Sequence, residues 1–376
     1  MHFHPGRNCE YNAATTRTGL SGSAGVLPSL RSSPKTRPSH RHIGRLYHVT
    51  LLQQFFWNSS ENRLRAPFRI LLYFMMWILI SRVLDWILIP PLSRIWVSLG
   101  MGNVNWFEHG VHFVLYFFVV VGVTFFAAHA IDKRSARQVG MQLDRAWWLE
   151  LLAGVALGAI LMSMIFALVW LLGWIEVSKI FAVLAPDNIP FGVALAGAFI
   201  VFIIIGVTEE LMFRGYVLRN CAEGMHAVGI APRIAVIGAW VFSSVLFGFF
   251  HVLNPNATAA STINLVLAGM MLGLPMVLTA RLGMPIGLHI AWNFVQGNIY
   301  GFPVSGNDFS RVTVFETIAR GPVLWTGGQF GPEAGLLGLL AILAGSGLII
   351  WWLGRMGAQS VVELLAIYRP RAQTFE

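Results

Sequence analysis

Charge is scarce in this chain. Only 11% of its 376 residues are Asp, Glu, Lys or Arg, against 56% hydrophobic, and the mean hydropathy is +0.66. Soluble domains carry about a quarter of their residues as charges, so the composition excludes that class and leaves a polytopic membrane protein. Cysteine is scarcer still. Cys9 and Cys221 are too few for a framework of disulfides or a cysteine zinc centre. The apolar runs also lack two-residue alternation, which excludes a transmembrane barrel and leaves helices that satisfy their own hydrogen bonds. No internal repeat is present, so neither a solenoid nor an obvious inverted duplication of broken transporter helices is expected.

What the chain has instead is a series of apolar stretches, each long enough to cross about 30 Å of hydrocarbon. They lie near residues 68–89, 110–131, 151–175, 190–212, 234–256, 262–281, 284–301 and 334–354. The expected fold is therefore all-α: a polytopic transmembrane helical bundle of about eight helices. Arginine and lysine fall in every second connection: before the first span, in "DKRSAR" (Asp132–Arg137), at Arg214 and Arg219, at Arg281, and at Arg355, Arg369 and Arg371. The intervening loops, around Ser98–Glu108, Glu176–Asn188, Asn254–Ser261 and Ser305–Glu333, are neutral or mixed. By the positive-inside rule both termini are predicted cytoplasmic. The net charge of +9 then reflects topology and anionic lipid headgroups, and no nucleic-acid partner is expected.

Residues 1–65 are dominated by Ser, Thr, Arg, Pro and His, with "RSSPKTRPSHRH" (Arg31–His42) at their centre. This composition predicts a disordered basic tail. It has no apolar region near the start of the kind a secretory signal needs, though a transit segment or an over-extended start would share its composition. His2, His4, His40 and His42 read as tail residues, not a metal site. The remaining chain divides into N-terminal transmembrane helices (66–186), a core (187–301), and a loop, last span and short tail (302–376).

The core carries the unusual residues. "EELMFR" (Glu209–Arg214) follows the apolar run "AFIVFIIIGVT" directly, and a charge near the bilayer centre costs about 2.5–3.5 kcal/mol. On a helix Glu210 and Arg214 are four apart, acid first, and form a pair along one face. Glu209 points about 100° away with no partner on its own helix. The bland reading is a wet interfacial helix end. Polar residues in two further spans tell against it: "FGFFHVLN" places Phe247 and His251 four apart and Asn254 three beyond, and "HIAWN" places His289 and Asn293 four apart. Each must find a polar partner away from water, and the cheapest solution is a shared cavity.

The ordered series "EExxxR", "FxxxH" and "HxxxN", within roughly Phe191–Gly301, resembles the CAAX prenyl endopeptidase and bacteriocin-processing (CPBP, or Abi) family of intramembrane proteases. The resemblance implies an endopeptidase acting on a membrane-associated or lipidated polypeptide. Glu209 would activate a water, His251 would help hold and polarise it, and His289 with Asn293 would stabilise the oxyanion. Glu210 and Arg214, with Phe247 and Asn254, would support them. A carboxylate in a low-dielectric site is well suited to general base work, and aimed donors contribute about 100- to 1000-fold each. No cofactor is expected. Zinc on two Glu and two His is the alternative, but there is no HExxH, and Asn is a weak zinc ligand. Two other readings compete: a transporter, since intramembrane Glu, His and Arg also build proton relays, and a non-catalytic immunity or scaffold protein. Outside the motifs, Arg82 and Asp85 read as a structural pair, His112 and His129 as incidental, and Trp147 and Trp148 as interface anchors.

One condition must be met for the residues to converge. Glu209 and His289 lie near the cytoplasmic ends of their runs, whereas His251 lies late in its own. They meet only if the fourth and fifth helices extend on the cytoplasmic side, making Ala222–Arg233 a raised loop.

Overall fold

The computed structural model describes residues 55–101, 104–183, 189–309, 312–356 and 361–370. Most of the expected tail, with Cys9 and the four tail histidines, lies outside the described residues. The boundary expected at residue 65 falls too late, because Trp57–Asn58 and Arg63–Leu64 already pair as a short antiparallel ladder. Polar composition hid this element, since its role is to present Arg63 to a buried carboxylate.

Beyond it, α1 (Ala66–Ser98) leads to α2 (Val104–Phe126), which ends in a π-helical turn, Ala127–Ile131. Helix α3 (Arg145–Leu171) is capped by Asp144, whose carboxylate accepts the Trp147 amide (2.9 Å). Then come β1 (Ile175–Val183), α4 (Phe191–Glu210), a π-helical segment (Leu211–Leu218) and α5 (Arg219–Ala227), which run on as one helical rod. Helices α6 (Pro232–Phe250), α7 (Ala259–Thr279) and α8 (Gly283–Phe294), the strand β2 (Val312–Ala319), α9 (Leu336–Arg355) and α10 (Val362–Ala366) complete the described chain.

The fold is an all-α polytopic bundle. Among the described residues, seven helical stretches are long and apolar enough to cross a membrane. The eighth expected span, 284–301, differs. Helix α8 has 12 residues, about 18 Å of rise, and every residue from Gly283 to Asn293 is buried; it is a central strut inside the bundle. Its closest partner is α3. A Cβ built at Gly154 or Gly158 would meet the carbonyl oxygens of Met284 and Leu288 at 2.3 and 2.7 Å, and one at Gly283 or Gly287 would meet those of Trp147 and Leu151 at 2.2 and 2.1 Å. Both helices thus carry a small-xxx-small pair, which lets two backbones touch where lipid offers no hydrophobic drive between helices.

Three side readings change. The loops expected around Glu176–Asn188 and Ser305–Glu333 contribute β1 and β2, which pair antiparallel with a bulge between Val177 and Lys179; "IEVSKIFAV" and "VTVFETIA" are rich in β-branched and aromatic residues. Asp85 bonds His112 of α2 (3.2 Å), and Arg82 is exposed, so the expected Arg82–Asp85 pair gives way to a contact between helices. Trp148 is exposed as an anchor should be, but Trp147 is buried and donates its indole N–H to Gly140 (2.9 Å).

Candidate active site

The condition for convergence is met by the length of one helix. The rod beginning at α4 runs on to Ala227, well past the apolar run. Glu209 precedes Ala227 by 18 residues and His251 follows Pro232 by 19. Both therefore stand about 27 Å from the connecting turn at 228–231. Helix α7 returns antiparallel to α6 toward the end of the bundle that holds this turn, and α8, starting from there, places His289 six residues past its start.

Where the rod passes the site it loosens into the π-helical segment 211–218, a form that is rare and concentrates at functional sites. The neighbours secure it: Ser243 Oγ donates to the Phe213 carbonyl (2.7 Å), and Arg214 Nη2 donates to the Gly269 carbonyl on α7 (3.0 Å). Gly215 lets the segment lie against Val139, whose carbonyl a Cβ would meet at 2.9 Å.

Glu210 is fully buried, and its Oε1 accepts from both Arg214 Nη1 (2.8 Å) and His289 Nδ1 (2.8 Å). Adjacent Glu209 turns elsewhere. Its side chain is 21% exposed, and its Oε2 lies 3.9 Å from His289 Nε2 without a hydrogen-bond partner. The two acids thus address the two nitrogens of one imidazole.

His251 caps α6, and its Nδ1 lies 2.8 Å from the Phe247 carbonyl. A carbonyl only accepts, so Nδ1 carries the hydrogen and Nε2 is left as the acceptor of the neutral ring. Phe247 packs among the others, its ring centroid 4.8 Å from that of His251, 6.0 Å from that of His289 and 4.4 Å from the Arg214 guanidinium carbon. Asn254 donates to the Ser305 carbonyl (2.8 Å).

Glu209, Phe247, His251, Asn254, His289 and Asn293 all line one cavity of about 250 Å³, with Glu210 and Arg214 packed directly behind it. The same cavity has apolar walls that include Trp77, Tyr116, Phe202, Phe213 and Phe250. A third carboxylate, Glu333, lines it too. It is buried and accepts from the Ser305 backbone N–H (2.8 Å) and hydroxyl (3.2 Å). Burial pushes its carboxyl up to about 7. Sequence reasoning missed Glu333 because an acid just before an apolar helix reads as an ordinary N-terminal residue; the one available signal was its position beside a run as apolar as "AGLLGLLAILAG".

Glu210 is committed to Arg214 and His289, and among the described residues no three His, Cys, Asp or Glu side chains converge as a metal centre requires.

A membrane helical bundle enclosing a carboxylate–imidazole cavity is the class that fold and site define. Residues 190–295, the core from α4 to α8, match the family model described as Type II CAAX prenyl endopeptidase Rce1-like. The chain matches no curated protein and no solved structure.

Proposed function

We propose that this chain is an intramembrane endopeptidase that hydrolyses a peptide bond of a membrane-associated or lipidated polypeptide with a water activated by Glu209. The observation that carries the reading is the division between the two acids. Glu210 is consumed by Arg214 and His289, whereas Glu209 keeps a buried, unpartnered oxygen facing the cavity. A water bound there would give its proton to Glu209 while its oxygen attacks the scissile carbonyl. His251, with Nε2 as acceptor, would fix the orientation of that water.

Charge then develops on the carbonyl oxygen. His289, oriented through Nδ1 by Glu210, and the Asn293 amide one turn further along α8 would donate to it. Arg214 holds the Glu210 carboxylate in place and so fixes the orientation of His289, much as a buried acid does in catalytic triads. Collapse of the tetrahedral intermediate returns the proton from Glu209 to the leaving amine. No step is routed through a metal. Asn254, Ser305 and Glu333 line the cavity from the end of the bundle opposite the 228–231 turn, so with both termini cytoplasmic the cavity would be served from the other face or from the lipid.

The test is proteolysis by purified protein on a lipidated peptide and its unlipidated twin, wild type against Glu209→Gln. Cleavage by wild type alone supports the reading. Equal cleavage by both removes Glu209 from the chemistry. If neither peptide is cleaved while a proton or solute flux depends on Glu209, transport takes the place of hydrolysis.

A further inference from the structure

A second polar group lies at one end of the bundle, away from the cavity, where the start of α1, the turn after α2, helix α5 and the segment after α10 meet. Four guanidiniums, Arg63, Arg69, Arg134 and Arg219, are each at most 2% exposed, as are, among the described residues, two carboxylates there, Asp132 and Glu223. Glu223 bonds Arg63 (2.6 Å), Arg134 and Arg219 (3.4 Å), while Asp132 bonds Arg69 (2.7 Å) and accepts from Asn220 (3.1 Å). Glu61, at the edge, reaches Arg63 (2.8 Å). Even with Glu61 counted, four positive groups face three negative ones.

The donors are also in surplus. Arg63 Nη1, Arg69 Nε, and both Nε and Nη1 of Arg134 are buried without an acceptor, and the Tyr216 and Tyr368 hydroxyls nearby are unpartnered too. Buried guanidinium N–H groups are almost always satisfied, because leaving them bare costs the full desolvation of a charged donor. Burial also drags Arg134 below the ordinary guanidinium range, despite Glu223 and Asp132. What the cluster lacks is an anion rich in acceptor oxygens, and guanidinium forks match phosphate best.

We propose that this cluster is a binding site for a phosphate group, supplied either by the headgroup of an anionic lipid or by free phosphate. Its position suits the first source: Arg63 precedes the first span, Asp132 and Arg134 follow the second, and Tyr368 follows the last. Basic pockets between helices at the membrane surface hold such headgroups. The C-terminal segment covers the site. The Tyr368 ring lies 3.4 Å from the Arg63 guanidinium carbon, Gln138 Nε2 donates to the Arg369 carbonyl (3.0 Å) and Arg219 Nη2 to that of Leu364 (2.7 Å). Seating the phosphate requires this segment to shift, and its two carbonyl contacts are what releases it.

The full chain, purified in neutral detergent and stripped of lipid, is titrated with phosphatidylglycerol, phosphatidylcholine and inorganic phosphate at constant ionic strength. Native mass spectrometry counts bound molecules, and thermal unfolding reads stabilisation. Phosphatidylglycerol retained over phosphatidylcholine, with a higher Tm, identifies the lipid as the source; stabilisation by inorganic phosphate alone identifies the free anion. Arg134→Gln is expected to weaken retention at least tenfold, and Arg320→Gln, which alters an exposed pair with Glu176, not at all. Should Arg134→Gln fail to fold, Arg69→Lys takes its place, since it keeps the Asp132 pair and deletes an orphan donor. Wild type that binds neither ligand beyond the phosphatidylcholine level overturns the proposal, as does unchanged retention in the folded variant.

Discussion

The groups around Glu210 and around Glu223 are both buried ion networks, and both leave hydrogen-bonding atoms unmet, in different surroundings. At Glu210 one guanidinium and one imidazole share a carboxylate, and the unpartnered atom that faces the cavity is an acceptor, Glu209 Oε2, with Arg214 Nε and Glu210 Oε2 unpartnered behind it. At Glu223 three guanidiniums share a carboxylate, and what remains unpartnered is a set of donors under the C-terminal segment. A water, which can donate, completes the first. An anion, which only accepts, completes the second. The unmet acceptor that faces the cavity thus suits hydrolysis, and the unmet guanidinium donors near Glu223 suit retention of an anion.

The largest effect that would sharpen this contrast is the loss of Glu209. Glu209→Gln keeps the shape and breaks no bonded pair, so melting temperature and membrane insertion should stay near wild type while peptide cleavage falls by at least about 10³-fold. Glu210→Gln should act first on the fold. It leaves Arg214 buried without its partner, and stability should drop by about 3–5 kcal/mol. A Glu210→Gln protein that is stable but inactive, beside an active Glu209→Gln, would exchange the two roles.

Next in size is Glu223→Gln. Removing the acid shared by Arg63, Arg134 and Arg219 should destabilise the fold by about 3–5 kcal/mol, with the cleavage rate per folded molecule unchanged. A fall in that rate at full occupancy of the folded state would show that the two groups are coupled, and the contrast between them would fail. Thermal unfolding monitored alongside cleavage at a low temperature separates the outcomes.

The two groups also differ in how far the sequence discloses them. Glu210 and Arg214 are four residues apart, and His251 and His289 stand out in apolar helices, so local periodicity and the cost of burying charge point to them together. Nothing local links Arg63, Asp132, Arg134 and Glu223. Arg63 sits in a stretch whose composition reads as tail, and Arg134 in a loop whose basicity reads as topology. Their contacts span 160 and 89 residues, which only the tertiary fold brings together. Helix number was legible for the same local reason, from apolar length. The short α8 was not seen as a buried strut, because an apolar run looks alike whether it faces lipid or protein. The glycine contacts between α3 and α8 lie on separate helices, so neither pair reveals its partner.

Glu333 lies between these extremes, and its titration gives the smallest of the predicted effects. Its ordinary carboxyl value is 4.5, and burial raises it in the folded chain to about 7. Between those values the folded protein keeps a proton that the unfolded chain has lost, so stability falls as pH rises through the window. The whole change is at most about 3 kcal/mol, and the Ser305 bonds to the ionised form are already included in it. Glu333→Gln keeps an acceptor for the Ser305 N–H and cannot ionise. Its melting temperature should therefore lack the decline that wild type shows from about pH 4.5 to 7, and the two proteins should differ most above pH 7, with the variant the more stable. Parallel curves across that range would mean that Glu333 titrates alike folded and unfolded. The cavity would then hold an ionised third carboxylate at every working pH, and Glu209 would face a stronger like charge than the mechanism assumes.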